Sequence, residues 1–479
     1  MKKENKIILI LVIFSFLIRV LFSIALPLVG WDESIYSNLG YDLTQNNFKY
    51  SLENSIWSDR IMSWDSPYSW PNIGFRAPLL PFSLAVLYFL KFDFLVKFLI
   101  AIIGTLSIFL IYALGKKLFD EKVGLYSAIF LSLLPLYVLF STMILTEVYS
   151  TFFILLTFIS FWEGFEKNKN IHKILFGIFF ALAILARYTS LWIAPVFIFY
   201  FLVRDKYFKF LKDKNLWYSI LAFFVVLLPL FIYGERYYNN PLGAFIHGKI
   251  AASYYGGVQS TSFYFQHGLE DFSIIGLIFL LSIGFIIFKK EYKKRQIYML
   301  LAWFLSFLSL AVYMPHKEPR FLIPITPVIC LMSGFFVNKI KKYKILFLGL
   351  IILALMFSTF FLFIPIFKKQ HNDSNSCFLE ANKFLGSTEI DSLIITDQVV
   401  YTYYYNKKQI IPFPRPWNLT SFKKTIEKTN KKEIYILITD FQKSDSEEDK
   451  LIGKDIENNF AKVFECVKKE GSSKVYKHN

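Results

Sequence analysis

Cysteine is scarce in this chain, with only Cys330, Cys377 and Cys466 in 479 residues. Three scattered thiols are too few for a metal cluster or a disulfide framework. Cys377 and Cys466 could pair in the tail, but unpaired thiols are the expectation. His247, His267 and His316 lack zinc-ligand spacing, so the sequence offers no zinc motif. No internal repeat is visible, which speaks against the architecture common among transporters. No small-residue cleavage site follows the first apolar run, so that run does not read as a signal peptide. Acidic residues are also short, 36 against 53 Lys and Arg, for a net charge of +17. On a soluble chain this excess would suggest nucleic acid; on an apolar one it records which loops face the cytoplasm.

The chain is apolar: 55% hydrophobic, 19% aromatic, with 55 Phe and 29 Tyr, and a mean hydropathy of +0.44. These values exclude an ordinary soluble enzyme and define a polytopic membrane protein. The first apolar run extends from Ile7 to Val29 behind Lys2, Lys3 and Lys6. It reads as an anchor with its N-terminus inside. Arg19 interrupts it, at a cost of roughly 2.5–3.5 kcal/mol on insertion scales, and should face the bundle interior or a wet cavity. A lipid phosphate and a neighbouring helix are both open as its partner.

The chain then stays outside through residue 78. Ile35, Tyr36, Leu39 and Leu43 recur at helical spacing behind Asp32, which predicts an amphipathic helix on the membrane surface with Asp32 as N-cap. Trp57, Trp64, Tyr68 and Trp70 add an interfacial aromatic cluster. In Phe75-Arg76-Ala77-Pro78-Leu79-Leu80-Pro81 the prolines set the entry of a short helix with Arg76 at its mouth. That helix, about Leu79–Leu90, rises only about 18 Å. A hydrocarbon core is about 30 Å thick, so the helix should dip in and return outside.

Ten further spans follow, near 95–114, 122–141, 146–165, 172–187, 188–203, 216–233, 272–288, 296–313, 321–337 and 344–365, making about eleven with the first. Each connection assigned to the cytoplasm is basic, from Lys116, Lys117 and Lys122 to Lys339, Lys341, Lys342 and Lys344. The outer segment 31–78 instead carries Asp32, Glu33, Asp42, Glu53, Asp59 and Asp65. This asymmetry is what the positive-inside rule requires. Outward-facing ends then collect Asp32 and Glu33, Arg76, Glu147, Arg187, and the string His316-Lys317-Glu318-Pro319-Arg320-Phe321, with a loop over 234–271.

The motifs WDESIY (31–36), FRAPLLP (75–81), a Gly-Lys-Lys-Leu-Phe turn at 115–119, ILTE (144–147) and HKEPRFLIP (316–324), in this order and sidedness, resemble those of the GT-C glycosyltransferases. The similarity is greatest to the dolichyl-phosphate mannose-protein mannosyltransferase and aminoarabinose transferase type. It covers about residues 1–365. The late histidine string also resembles mannosyltransferases whose acceptor is a glycolipid, which leaves the acceptor open.

The resemblance implies a sugar donor linked to a polyprenyl (dolichyl) phosphate and a protein, lipid or glycan acceptor, with inversion at the anomeric carbon expected from a single displacement. A phosphate leaving group needs cations more than it needs an acid, and one base suffices for the acceptor hydroxyl. A paired-carboxylate hydrolase site would look different. The resemblance places the base at Asp32, with Glu33 as its helper. It makes Glu147 a second acidic position, orienting the acceptor or holding a divalent metal. Arg76, Lys317, Arg320 and Arg187 are candidates for the donor phosphate, and His316 and Tyr36 for the acceptor side. Each has a plainer reading: Asp32 and Glu33 as helix-start charges, Glu147 as interfacial, and Lys317, Glu318 and Arg320 as a salt-bridged turn. A transporter or flippase of lipid-linked saccharides is the competing class.

Beyond residue 367 the composition turns polar. Residues 1–367 are expected to form the membrane domain, with its first outer loop at 30–78, and 368–479 a small extracytoplasmic α/β domain. Strands are predicted at 392–396, 410–411 and 433–438, with a helix over 421–429. Sequons begin at Asn372 and Asn418.

Overall fold

The computed structural model describes residues 3–45, 50–52, 76–254, 259–412, 426, 433–440 and 454–478. The tryptophan cluster at 57–70, the sequon at Asn418 and, apart from Ile426, the helix expected over 421–429 lie outside the described residues. The chain divides into two compact units. One comprises Met1–Ile24, Phe75–Leu80 and Lys97–Phe363; the other comprises Ala25–Gly74, Pro81–Val96 and Ile364–Asn479.

Among the described residues, eight helices are long and apolar enough to cross a membrane, including Leu99–Leu118, Thr146–Glu166, Lys214–Tyr238 and Arg295–Tyr313. This is a multi-pass membrane protein. The other three expected spans are short or broken. Asn170–Ala186 and Tyr188–Arg204 are shorter apolar helices. The stretch over 122–141 splits into Glu121–Leu133 and Pro135–Phe140. Proline lacks an N–H and disfavours helical backbone before it, and Leu134 is accordingly extended (φ −62°, ψ 117°).

In the first unit the helices meet through glycine. A Cβ on Gly124 would lie 2.5 Å from the Tyr112 carbonyl oxygen, and one on Gly177 would lie 2.0 Å from that of Ser219. Small residues allow such backbone approach where lipid provides no hydrophobic drive between helices. Arg19 is fully buried. Its Nη1 donates to the carbonyl oxygens of Ser15 (3.2 Å) and Ser132 (3.4 Å), and its guanidinium lies 5.8 Å from the Tyr137 ring centre. Of the two readings of Arg19, packing against neighbouring helices is the one observed. The expected outer loop at 234–271 is largely helical: Lys214–Tyr238 extends into it, Gly243–Tyr254 follows, and Phe263–Phe288 begins within it. The last of these kinks at Ser273, whose φ of 53° is unusual for a residue with a Cβ.

The second unit contains a five-stranded sheet built from β1 (Leu393–Thr396), β2 (Gln409–Pro412), β3 (Ile434–Thr439), β4 (Ala461–Lys468) and β5 (Gly471–His478). The order is β2-β1-β3-β5-β4. β1 pairs in parallel with β2 and β3, while β5 runs antiparallel to both β3 and β4. Leu393, Ile395, Ile411, Ile434, Ile436 and Tyr476 form its apolar core. β1 to β3 are the three expected strands; the β4–β5 hairpin escaped notice because Ala461–Lys468 is mostly exposed and weakly patterned.

Three expectations are corrected here. Cys377 and Cys466 form a disulfide across 89 residues, because the helix Asp373–Ser387 packs on β4 and β5. The helix after the first span, Trp31–Gln45, is not a surface helix: Ser34–Gly40, Asp42 and Leu43 are buried. It starts at Trp31, so Asp32 lies in its first turn and is not the N-cap. The short helix is Leu79–Phe89, eleven residues.

Candidate active site

The first unit gathers charge at a break in the Thr146 region. Leu145 is extended, and the helix Thr146–Phe161 starts immediately after it, placing Glu147 in the first turn with 1% exposure. Arg187 follows the helix Asn170–Ala186 in extended conformation. Its Nη1 lies 2.9 Å from Glu147 Oε1 and donates to Thr146 Oγ1 at 2.8 Å. Arg320, in the 3₁₀ turn Pro319–Ile325, brings Nε to 3.4 Å from the same Glu147 oxygen. Both guanidiniums also lie against the Phe321 ring, 5.4 and 5.7 Å from its centre.

Glu318 completes the group. Arg320 grips it with a two-pronged fork, Nε to Oε2 at 2.7 Å and Nη2 to Oε1 at 2.7 Å. His316 Nε2 sits 2.7 Å from Glu318 Oε1. Arg76 belongs to this unit, and its backbone carbonyl accepts from Tyr188 Oη at 3.3 Å, next to Arg187. The arrangement joins two guanidiniums to one buried and one accessible carboxylate. A fork of this kind fits phosphate as well as carboxylate.

Lys317 is used differently. It is 3% exposed, and its ammonium donates to the carbonyl oxygens of Val312 (3.1 Å) and Met314 (2.5 Å) at the end of Arg295–Tyr313. Such a lysine satisfies the last carbonyls of a helix. To bind phosphate it would have to leave both.

Sequence reasoning overlooked Tyr264 and Gln259. Tyr264 Oη donates to the Glu318 carbonyl at 3.1 Å and accepts from the Glu318 N–H at 3.2 Å. Burial pushes its hydroxyl well up, so it remains a donor. Gln259 Oε1 accepts from the Lys317 N–H at 2.7 Å. Neither residue carries a charge or a motif that would have marked it.

In the second unit, Asp32, Glu33 and Tyr36 share the start of Trp31–Gln45. Asp32 and Glu33 are half-buried and Tyr36 is buried. Glu33 Oε2 accepts from the Gly30 N–H at 2.7 Å, so Glu33 folds back on the helix start as the acidic half of a capping box. The preceding turn is tied by Tyr405, whose Oη donates to the Pro27 carbonyl at 3.1 Å and accepts from the Val29 N–H at 3.1 Å. Among the described residues there is no group of three or more His, Cys, Asp or Glu arranged to hold a metal. Glu147, one candidate for that role, faces two guanidiniums, surroundings that disfavour a divalent cation.

This architecture, many apolar helices with a small sheet domain, is the GT-C fold. The structure of ArnT from Cupriavidus metallidurans bound to undecaprenyl phosphate superposes with a TM-score of 0.71 at 11% identity, covering 98% of this chain and 97% of that one. Residues 66–383 match the Alg9-like mannosyltransferase family, and the chain belongs to that family. Among curated relatives, an uncharacterized protein of Aquifex aeolicus is 26% identical over 281 residues, 56% of this chain and 55% of that protein. The α-1,2-mannosyltransferase ALG9 of Arabidopsis thaliana is 26% identical over 129 residues, 26% of this chain and 22% of that protein. The matches thus span about half and about a fifth of the relatives' lengths. Arg76, Glu147, Arg187, His316, Lys317 and Arg320 fall inside the family match; Asp32, Glu33 and Tyr36 precede it.

Proposed function

We propose that this protein is an integral-membrane glycosyltransferase that transfers a sugar, by inversion, from a polyprenyl-phosphate donor to a protein, lipid or glycan acceptor. The observation that carries the reading is the pair of guanidiniums, Arg187 and Arg320, held on the buried Glu147 in a member of the Alg9-like family. The bound undecaprenyl phosphate named for the ArnT structure supports the donor class.

Asp32 takes the proton of the acceptor hydroxyl, and the freed oxygen attacks the anomeric carbon. The bond from that carbon to the phosphate oxygen breaks, and its electron pair leaves on the phosphate. Arg76, Arg187 and Arg320 neutralise that charge. Lys317 joins them once released from its carbonyls. Glu33 stiffens the helix start under Asp32, Glu147 orients the arginines, and His316 and Tyr36 serve the acceptor side. Residues 1–367 form the catalytic membrane domain and 368–479 a soluble domain outside the cytoplasm. The Cys377–Cys466 disulfide supports that side, since such bonds persist in oxidising compartments.

Mass spectrometry of glycans and glycolipids from a deletion strain tests the reading. A sugar-bearing product should disappear on deletion and return with the wild-type chain but not with Asp32→Asn. An unchanged glycan and glycolipid profile would overturn it.

A further inference from the structure

The soluble residues carry a cation that the chemistry above does not use. Lys407 ends the helix Val399–Asn406 in the left-handed conformation (φ 53°), which turns its side chain back across that helix. Its ammonium lies 5.0 Å from the ring centre of Tyr41, 5.5 Å from Tyr88, 5.4 Å from Tyr403 and 5.0 Å from Tyr404. It donates to Asn38 Oδ1 at 3.0 Å. Asn38 in turn donates from Nδ2 to the Val400 carbonyl at 2.9 Å, and Tyr403 Oη donates to Asp42 Oδ1 at 2.5 Å. Asn38 is fully buried and held at both ends of its amide. Ser37 Oγ and Tyr88 Oη, 2.6 Å apart, pin the same helix from the Leu79–Phe89 side.

Asn38 and Asp42 are one turn apart on Trp31–Gln45, the helix whose first turn carries Asp32. At ~100° per residue they lie about 240° and 280° around the axis from Asp32, so clamping them fixes the direction of Asp32 without touching it. A roll of about 10° moves a carboxylate ~6 Å from the axis by ~1 Å. A misplacement of about 1 Å is worth roughly 10²-fold in rate.

We propose that Lys407 is a positioning residue for the transfer reaction, a cation in a box of four tyrosines that sets the rotation about its axis of the helix bearing Asp32. This rests on the proposed role of Asp32. It gives residues 399–407 a task in the reaction. The charge is sensitive to its surroundings. Burial lowers the Lys407 ammonium to about 7, opposed by Asp42 and Asp93. The titratable groups facing it are Tyr41 and Asp42 on Trp31–Gln45, Tyr88 on Leu79–Phe89, Asp93 on the following turn, and Tyr403 and Tyr404 on its own helix.

The test uses the full chain in membranes of the deletion strain and follows the product lost on deletion. Initial rates are taken at about pH 5.5 to 9.5. Lys407→Met is expected to lower the maximal rate about tenfold with little change in donor KM, the signature of a misdirected base. Lys407→Arg should recover much of the rate and carry the alkaline limb of the wild-type profile upward, because guanidinium does not titrate there. If Lys407→Met is lost from the membrane, Lys407→Gln, which keeps a hydrogen-bond donor for Asn38 and removes the charge, replaces it and should show the same split between rate and KM. A wild-type rate and profile in Lys407→Met, or in its replacement, alongside an inactive Asp32→Asn would overturn the proposal. A fully active Asp32→Asn would instead remove the reading on which it rests.

Discussion

Arg187 Nη1 lies 2.9 Å from Glu147 Oε1, and the carboxylate it meets is 1% exposed. Arg320 approaches the same oxygen at 3.4 Å. One buried anion therefore organises two cations contributed by distant parts of the chain. Glu147→Gln keeps the shape and removes the charge, leaving the guanidiniums uncompensated. The expected loss is about 3 kcal/mol of stability, in the range for breaking a buried ion pair. Thermal unfolding in detergent measures it, and product formation should fall by about tenfold or more as the arginines lose their alignment.

Arg320 presents its fork to Glu318 at 2.7 Å on both prongs. On the proposed reading, a donor phosphate competes with that carboxylate. Glu318→Ala should therefore lower the donor KM and strengthen inhibition by free polyprenyl phosphate, while Arg320→Ala raises the KM about tenfold. Arg320→Lys should resemble the alanine variant, since an ammonium lacks the planar fork. Equal KM values across the three variants would remove Arg320 from donor binding.

The disulfide between Cys377 and Cys466 closes a long loop, spanning 89 residues. Removing a native disulfide from a small domain costs typically about 2–5 kcal/mol. Cys377→Ser, Cys466→Ser and the double variant should be destabilised alike, because each removes the same bond. Limited proteolysis of the C-terminal residues reports the loss, and a thiol-specific label should react with either single variant only after unfolding or exposure of the partner cysteine.

The tyrosine box predicts a pH dependence with a definite sign. With its folded value lowered to about 7 by burial, Lys407 binds fewer protons in the folded than in the unfolded chain between about pH 7 and 10. Stability of the unit that holds Lys407 should therefore rise with pH across that interval and stay at its penalised level below about 7, where both states are protonated. Lys407→Met should flatten the slope. Chemical unfolding followed through the tyrosine signal, compared between wild type and variant, measures the difference.

Much of this was written in the sequence. A hydropathy of +0.44 and apolar runs longer than a bilayer half-thickness require membrane helices, because backbone polar groups in lipid must bond within their own segment. The eleven residues of Leu79–Phe89 are too short to span, and that limit follows from rise per residue alone. β1 to β3 were legible because each holds consecutive apolar residues that are buried, Leu393–Ile395, Ile410–Ile411 and Ile434–Leu437. The acidic and basic motifs were legible as types of chemistry.

Their pairing was decided only by the fold. Glu147, Arg187 and Arg320 are separated by scores of residues, and no periodicity links positions that far apart. Which oxygen a guanidinium meets depends on the helix break at Arg187 and the 3₁₀ turn at Pro319. The same reason hid the disulfide, which needs the helix Asp373–Ser387 against β4 and β5, and the retirement of Lys317 to two carbonyls. Asp32 shows the division most plainly. The sequence set two carboxylates after the first span, a matter of local order and charge. The bond from the Gly30 N–H to Glu33 is equally local, a capping box three residues long; only the tertiary structure packed that helix against Val399–Asn406, because packing joins segments that the linear chain keeps far apart.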